Sequence, residues 1–281
     1  MIFLMEYMYL KSTLNSTFFV KICLKHLFIL VFFKYLCYNK TCQLNYIGVD
    51  MANDIFRRVE KKYLLSKKDY DSLMDRIWFY ITEDTYFKSS ISNIYYDSSD
   101  NELIINSIDK PIFKEKVRVR SYKTPESNKD EVFLEVKRKF KGVVGKRRVK
   151  ITLKEFYDFV EKRKYKDSQI FRELHYIFDF YKLQPMMFVG YDRLSYKGKY
   201  DENLRITFDS NLRSREDELR LELGDHGKKY FDEDMYIMEI KTLGAMPWWL
   251  VEALSELKIY PSSFSKIGKI YCKKLEVEDV K

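Results

Sequence analysis

Charged and apolar residues repeatedly alternate along this chain with a period of two, the pattern of a β-strand whose side chains point to opposite faces in turn. In Lys114-Glu115-Lys116-Val117-Arg118-Val119-Arg120 the bases Lys114, Lys116, Arg118 and Arg120 share one face. Phe133-Leu134-Glu135-Val136-Lys137-Arg138-Lys139 sets Glu135, Lys137 and Lys139 opposite Leu134 and Val136, and turns Arg138 outward as plain surface. Tyr236-Ile237-Met238-Glu239-Ile240-Lys241 sets Glu239 and Lys241 opposite Met238 and Ile240; Leu204-Arg205-Ile206-Thr207-Phe208-Asp209 sets Arg205 and Asp209 opposite Ile206 and Phe208. One such strand reads equally well as the solvated face of a half-buried sheet. Several together fit better a barrel turned inside out, its charged faces lining a bore and its apolar faces packed under outer helices. A cationic bore with a few carboxylates suits a polyanion and a divalent metal.

Around these strands the periodicity predicts a small set of further elements. Arg58-Val59-Glu60-Lys61-Lys62-Tyr63 is a first strand with Arg58, Glu60 and Lys62 on one face. Ser66-x-x-Asp69 and Thr152-x-x-Glu155 are capping boxes, opening helices with the stripes Tyr70, Leu73, Met74, Ile77 and Leu153, Phe156, Tyr157, Val160. Another helix carries Ile170, Leu174, Phe178 and Tyr181 and ends before Pro185. A fourth begins at Pro247, carries Leu250, Val251, Leu254 and Leu257, and stops before Pro261. Short strands are expected at Ile94-Tyr95-Tyr96-Asp97 and Leu103-Ile104-Ile105, and Gly142 and Gly145 mark a turn ahead of the basic strand Lys146-Arg147-Arg148-Val149-Lys150. With no internal repeat or low-complexity linker, the body of the chain reads as one α+β domain.

Residues 1–50 differ in kind, with the apolar run Leu27-Phe28-Ile29-Leu30-Val31-Phe32-Phe33 interrupted on either side by Lys25, His26 and Lys34. The uninterrupted part is shorter than the ~20 residues a membrane helix needs. No small-residue cleavage site follows it. The reading is a non-native upstream extension ahead of a start at Met51, with a weak membrane anchor as the alternative and 51–281 as the functional domain.

Composition adds a net charge of +9, from 51 Lys+Arg against 42 Asp+Glu. That excess attracts phosphates of any kind and leaves nucleic acid, anionic lipid and nucleotides open. Cys23, Cys37, Cys42 and Cys272 have no metal-ligand spacing, and a reduced, cytoplasmic chain is the simplest reading. No phosphate-binding G-x-x-x-x-G-K-[ST] loop, H-E-x-x-H motif or nucleophile elbow is present, and His26, His175 and His226 are scattered.

Taken in order, the inward positions Arg58-x-Glu60-x-Lys62, Arg118-x-Arg120, Glu135-x-Lys137, Lys146-x-Arg148, Tyr191-x-Arg193, Arg205, Glu239-x-Lys241 and Ser265-Lys266 resemble the VTC domain. This is the polyphosphate polymerase domain of vacuolar transporter chaperone complexes, within the triphosphate tunnel metalloenzyme (CYTH-like) superfamily. The resemblance spans nearly all of 54–272 and implies an α+β fold: an antiparallel β-barrel tunnel with a charged interior, flanked by helices. It implies an ATP-dependent, metal-dependent polyphosphate polymerase that transfers the terminal phosphoryl group of ATP to a growing chain. By position, Lys62, Arg118, Arg120, Lys137, Lys146, Arg193, Arg205 and Lys266 would hold phosphates, and Tyr191 and Ser265 would add hydrogen bonds. Glu239 would bind Mn²⁺ or Mg²⁺. The catalytic group would be Lys62, Arg118, Arg120, Lys137, Arg193, Glu239 and Lys266. Glu60, Lys116, Glu135, Arg148 and Lys241 would complete the substrate path, with Glu135 either orienting bases or binding metal.

Two departures bear on activity. Hydrolase and cyclase branches of the superfamily open with E-x-E-x-K, where this chain has Arg58 for the first Glu; that counts against the alternative of a tunnel triphosphatase or tripolyphosphatase. The arginine implied near Ile105 is missing, so that one substrate contact is either lost or replaced by Lys110 or Lys114. A non-catalytic polyphosphate-binding module is the other alternative, and retention of Glu239 counts against it. The expected partners are ATP and polyphosphate; a membrane protein partner is left open, and membrane association is a variant of the cytoplasmic reading. Nucleic acid is not expected, because it would call for exposed bases with stacking aromatics.

Overall fold

The computed structural model describes residues 58–278 apart from Lys110, Gly142 and residues 231–233. The expectations for residues 1–50, the start at Met51, the Arg58 side chain, Gly142 and Lys110 lie outside the described residues. Strands β1 (Arg58–Ser66), β2 (Ile81–Asp97), β3 (Phe113–Ser121), β4 (Glu131–Phe140), β5 (Val143–Thr152), β6 (Gln184–Gly198), β7 (Arg205–Arg215), β8 (Lys228–Lys229) and β9 (Met235–Leu243) form one sheet. Its order is β1-β9-β7-β6-β2-β3-β4-β5, with β8 added beside β7, and every pairing is antiparallel. Six helices flank it among the described residues: α1 (Lys67–Ile77), α2 (Glu102–Ile108), α3 (Leu153–Lys162), α4 (Gln169–Phe180), α5 (Trp248–Glu256) and α6 (Lys266–Glu278). None is long and apolar enough to cross a membrane.

The two-residue alternation explains the layering. Val117, Val119, Leu134 and Val136 leave the sheet on one side and pack with Phe156, Phe159, Leu174 and Phe178 of α3 and α4. Tyr63, Leu65, Ile206, Phe208, Met238 and Ile240 do the same under Leu73 and Ile77 of α1 and Leu250 and Leu254 of α5. Both capping boxes form: Ser66 and Asp69 bond reciprocally at the start of α1, and Thr152 and Glu155 at the start of α3. With its apolar faces occupied outside, the curled sheet must turn its charged positions inward.

Among the described residues the wall is not hydrogen-bonded all the way round. β1 and β5 end the strand order without pairing to each other, yet Lys137 Nζ of β4 comes within 4.0 Å of Glu60 Oε1 of β1. Part of the interior is also apolar, since Ile91, Tyr95, Val189, Tyr191 and Ile237 cluster with Phe264, Ile267 and Ile270 at and within α6. The interior is therefore a charged chamber bounded by an apolar plug.

Four expectations need correction, the first being that Gly145 does not mark a turn but lies within β5 opposite Arg138. Leu103, Ile104 and Ile105 belong to α2 and not to a strand. The Asp97 carboxylate accepts hydrogen bonds from the amides of Ser98, Leu103 and Ile104, which fixes this short helix from outside itself. The strand position near Ile105 thus does not exist, and Lys114 Nζ instead donates to Ser107 O at 3.3 Å. Ile94–Asp97 is the end of a 17-residue strand whose register shifts between Glu83 and Lys88. Arg138 does face outward, but it is not plain surface: it donates to Glu115 at 2.5 Å and Glu173 at 3.2 Å, while Tyr181 donates to Glu115 from α4's end.

Candidate functional site

Strand register stacks the inward side chains in tiers. Across β3, β4 and β5, Lys116, Lys137 and Lys146 form one tier, Arg118, Glu135 and Arg148 the next, and Arg120, Phe133 and Lys150 a third. Two residues of strand separate successive tiers by about 7 Å. On the other wall Glu60, Lys241 and Arg205 align across β1, β9 and β7, followed by Lys62, Glu239 and Thr207. Beyond them Asp209 of β7 faces Arg193 of β6. The N-terminus of α6 delivers Ser265 and Lys266 to the same chamber: Lys116 Nζ donates to Ser265 Oγ at 2.8 Å, and Lys266 Nζ lies 2.6 Å from Asp209.

Buried acids hold these bases in place. Glu135 accepts from Arg118 Nε at 2.8 Å, and its Oε1 sits 2.7 Å from Lys146 Nζ and 3.6 Å from Arg148 Nε without an aligned hydrogen bond to either. Asp209 accepts two bonds from Arg193, at 2.6 and 2.8 Å, besides its contact with Lys266. Glu239 pairs with Lys241 at 2.7 Å. Neutral partners add to this: Arg118 also donates to Tyr95, and Arg120 donates to Asn93 and Tyr191. Lys62 Nζ reaches Phe264 O at 3.4 Å and Glu60 at the same distance. Such side chains are ordered before any ligand arrives, which lowers the cost of binding one.

The titrations follow from this crowding. Burial raises the Glu135 carboxyl, but Arg118, Arg120 and Lys146 outweigh it and bring it to about 2. Glu239 and Asp209 are likewise buried yet held well below the carboxylate range, by Lys241 and Lys62 in one case and by Lys266 and Arg193 in the other. Burial lowers Lys116 to about 8, helped by repulsion from Lys62, Lys114 and Lys137. Tyr95 is pushed up by burial, but Arg118, Lys116 and Arg120 draw it down to about 8. Neighbouring positive charge acts in all of these shifts, alongside burial.

The chamber thus brings together Glu60, Lys62, Lys116, Arg118, Arg120, Glu135, Lys137, Lys146, Arg148, Arg193, Glu239, Lys241, Ser265 and Lys266. Tyr191 lies at its apolar boundary, with its hydroxyl bound by Arg120 and the Lys266 ammonium 4.5 Å from its ring. Arg205 stands apart at the rim, 57% exposed and 3.7 Å from Asp84. Asp209, Asn93, Tyr95 and Thr207 were not among the residues nominated from sequence. For Asp209 and Thr207 the signal was present, since both share the parity of Arg205. Thr207 is the cross-strand neighbour of Glu239, and its Oγ1 is buried without a hydrogen-bond partner. His175 contacts Tyr165 and Asp179 on the outer helix α4, and His226 contacts Glu218.

No three His, Cys, Asp or Glu side chains converge on a metal position among the described residues. A divalent ion could still be accommodated in part. Glu239 supplies a carboxylate and Thr207 an orphaned hydroxyl on adjacent strands, both hard oxygen donors, and ions such as Mg²⁺ commonly take one or two protein carboxylates and complete their shell with phosphate oxygens.

The family model of the VTC domain matches residues 57–275 of this chain. Among solved structures, a proposed adenylate cyclase from Bacillus halodurans aligns at 14% identity and TM-score 0.46, over 74% of this chain and 93% of that one. A protein of Pyrococcus horikoshii aligns at 17% identity and TM-score 0.40, over 77% and 99%. The Mimivirus capping enzyme triphosphatase aligns at 10% identity and TM-score 0.30, over 71% and 88%. No curated protein matches the chain.

Proposed function

The chain belongs to the VTC domain family, and on that premise we propose that it is an ATP-dependent polyphosphate polymerase acting within its cationic chamber. The observation that carries this reading is the tiered array of bases, of which Arg118, Arg120, Arg193 and Lys266 are oriented by a buried acid or a neutral partner before any ligand binds. In the reaction a terminal oxygen of polyphosphate attacks the γ-phosphorus of ATP, and the bond to the β–γ bridging oxygen breaks, releasing ADP. Phosphoryl transfer of this kind needs positioning and charge neutralisation more than covalent help. Lys116, Arg118, Lys137 and Lys146 would neutralise one set of phosphates and Lys62, Arg193 and Lys266 the other, holding donor and acceptor in line. A Mn²⁺ or Mg²⁺ ion held by Glu239, with Thr207 beside it, would supply further charge neutralisation on phosphate oxygens.

Three of the chamber's four carboxylates favour transfer over hydrolysis. An attacking water must lose a proton, whereas a terminal phosphate oxygen is already anionic. Glu135, Glu239 and Asp209 are each held by bases and lowered in pKa, which makes them poor proton acceptors, and His175 and His226 make their contacts away from the tiers. The test is to incubate the full chain with ATP and Mn²⁺ and separate the products. Long polyphosphate with ADP supports the polymerase. Inorganic phosphate as the main product would favour a tunnel triphosphatase, and binding without turnover a polyphosphate-binding module. The partners in this reading are ATP and polyphosphate in the cytoplasm, with a membrane protein to take up the product.

A further inference from the structure

One aromatic in the chamber is unexplained by packing. Phe133 shares the inward face of β4 with Glu135 and Lys137, yet it belongs to none of the three apolar clusters. The Arg148 guanidinium lies over its ring at 3.5 Å, and Tyr122, just past the end of β3, meets it edge-on at 5.4 Å. Tyr122 is 38% exposed and also belongs to no cluster. Arg148 and Arg120 both lie within 6 Å of the Tyr122 ring. An accessible aromatic and guanidinium group thus occupies the tier next to Arg118 and Glu135, about 7 Å further along the strands.

Bare phosphates have no use for π faces. A purine or pyrimidine attached to the end of a triphosphate does, because bases stack on aromatic rings and on flat guanidinium groups. We propose that Tyr122, Phe133 and Arg148 form a nucleobase subsite, so that the chamber takes nucleoside triphosphates in preference to inorganic tripolyphosphate. The inference rests on the phosphate-binding reading of the chamber above. Arg148 links the two halves, since its guanidinium stacks on Phe133 while its Nε lies 3.6 Å from Glu135, the acid that orients Arg118. Every base has a π face, so the subsite selects for the presence of a base and, through stacking area, for purine over pyrimidine. It does not read hydrogen-bond patterns.

The test is calorimetric binding of ATP, GTP, CTP and tripolyphosphate to the full chain and to its Tyr122→Ala and Phe133→Leu variants. Loss of a stacking partner is expected to weaken ATP and GTP by about 5- to 100-fold. Tripolyphosphate affinity should stay within about twofold of the parent in both variants, which also reports that they are folded. Nucleotide and tripolyphosphate affinities that fall together, or nucleotide affinities that do not change, overturn the subsite. A parent chain that binds tripolyphosphate as tightly as ATP overturns the subsite and leaves the polyphosphate reading standing. A parent that binds neither overturns both.

Discussion

Replacing Glu135 by Gln removes one charge from the centre of three bases while keeping the side-chain shape. The Glu135 carboxyl sits at about 2 against an ordinary 4.5, with burial outweighed by Arg118, Arg120 and Lys146. That gap corresponds to about 3 kcal/mol of folding stability at neutral pH. The sign follows from the depressed value: the contribution is complete above the unfolded-state value and disappears as pH falls from there through about 2. Urea unfolding of the parent and Glu135→Gln chains, followed from about pH 7 to about pH 2, should therefore show a variant less stable by about 3 kcal/mol at neutral pH and a difference that closes in acid. Triphosphate affinity should move the other way, because Arg118 and Lys146 lose a carboxylate that competes for them. Equal stability at neutral pH, or a deficit that persists undiminished at about pH 2, would refute the view that Glu135 is the electrostatic hub of the chamber.

Other substitutions separate binding from folding. Arg118→Ala or Arg120→Ala should weaken triphosphate binding by roughly 10- to 100-fold in calorimetry, the loss of a charge-assisted contact. Arg138→Ala should leave that affinity unchanged but cost about 3 kcal/mol in denaturant unfolding, since it abandons the buried Glu115 carboxylate. Triphosphate affinity should fall above pH 8 by up to about tenfold per pH unit for each of two groups, as Lys116 loses its proton and Tyr95 gains a negative charge. Lys116→Met and Tyr95→Phe should each flatten part of that limb, and a flat parent profile would reject it. Glu239→Gln should abolish ATP turnover with Mn²⁺ while leaving triphosphate affinity in chelator intact or tighter; retained turnover would remove Glu239 from the metal assignment. Residues 51–281 should melt cooperatively without residues 1–50, because the three apolar clusters of the described residues and both capping boxes lie within them; an aggregated product would refute this.

Much of the chamber was legible because strand parity needs only local sequence. The alternation of Arg118 and Arg120 with Val117 and Val119 assigned inside and outside correctly, and the capping boxes at Ser66 and Thr152 located two helices. Non-local contacts were not legible. α2 depends on the Asp97 carboxylate bonding amides up to seven residues away, and a short apolar run such as Leu103–Ile105 suits helix or strand equally well until that bond is known. Arg138 looked like surface because nothing in its own strand announces Glu173, which α4 brings to it. The part-apolar interior was hidden for the same reason: Ile91, Tyr95 and Tyr191 alternate like any inward residues, and only α6 shows that they face a helix.

The seam between β1 and β5 gives the chamber's bases a second consequence. An edge strand with free amides and carbonyls recruits further strands unless something prevents it, and closely spaced positive charge is one such guard. β5 begins with the exposed Val143 and Val144 and continues through Lys146, Arg147, Arg148 and Lys150. Two β5 edges meeting would bring those cations face to face. Neutralising this strand would then remove a barrier to self-association, and a bound polyanion long enough to extend past the seam could bridge two molecules that otherwise repel.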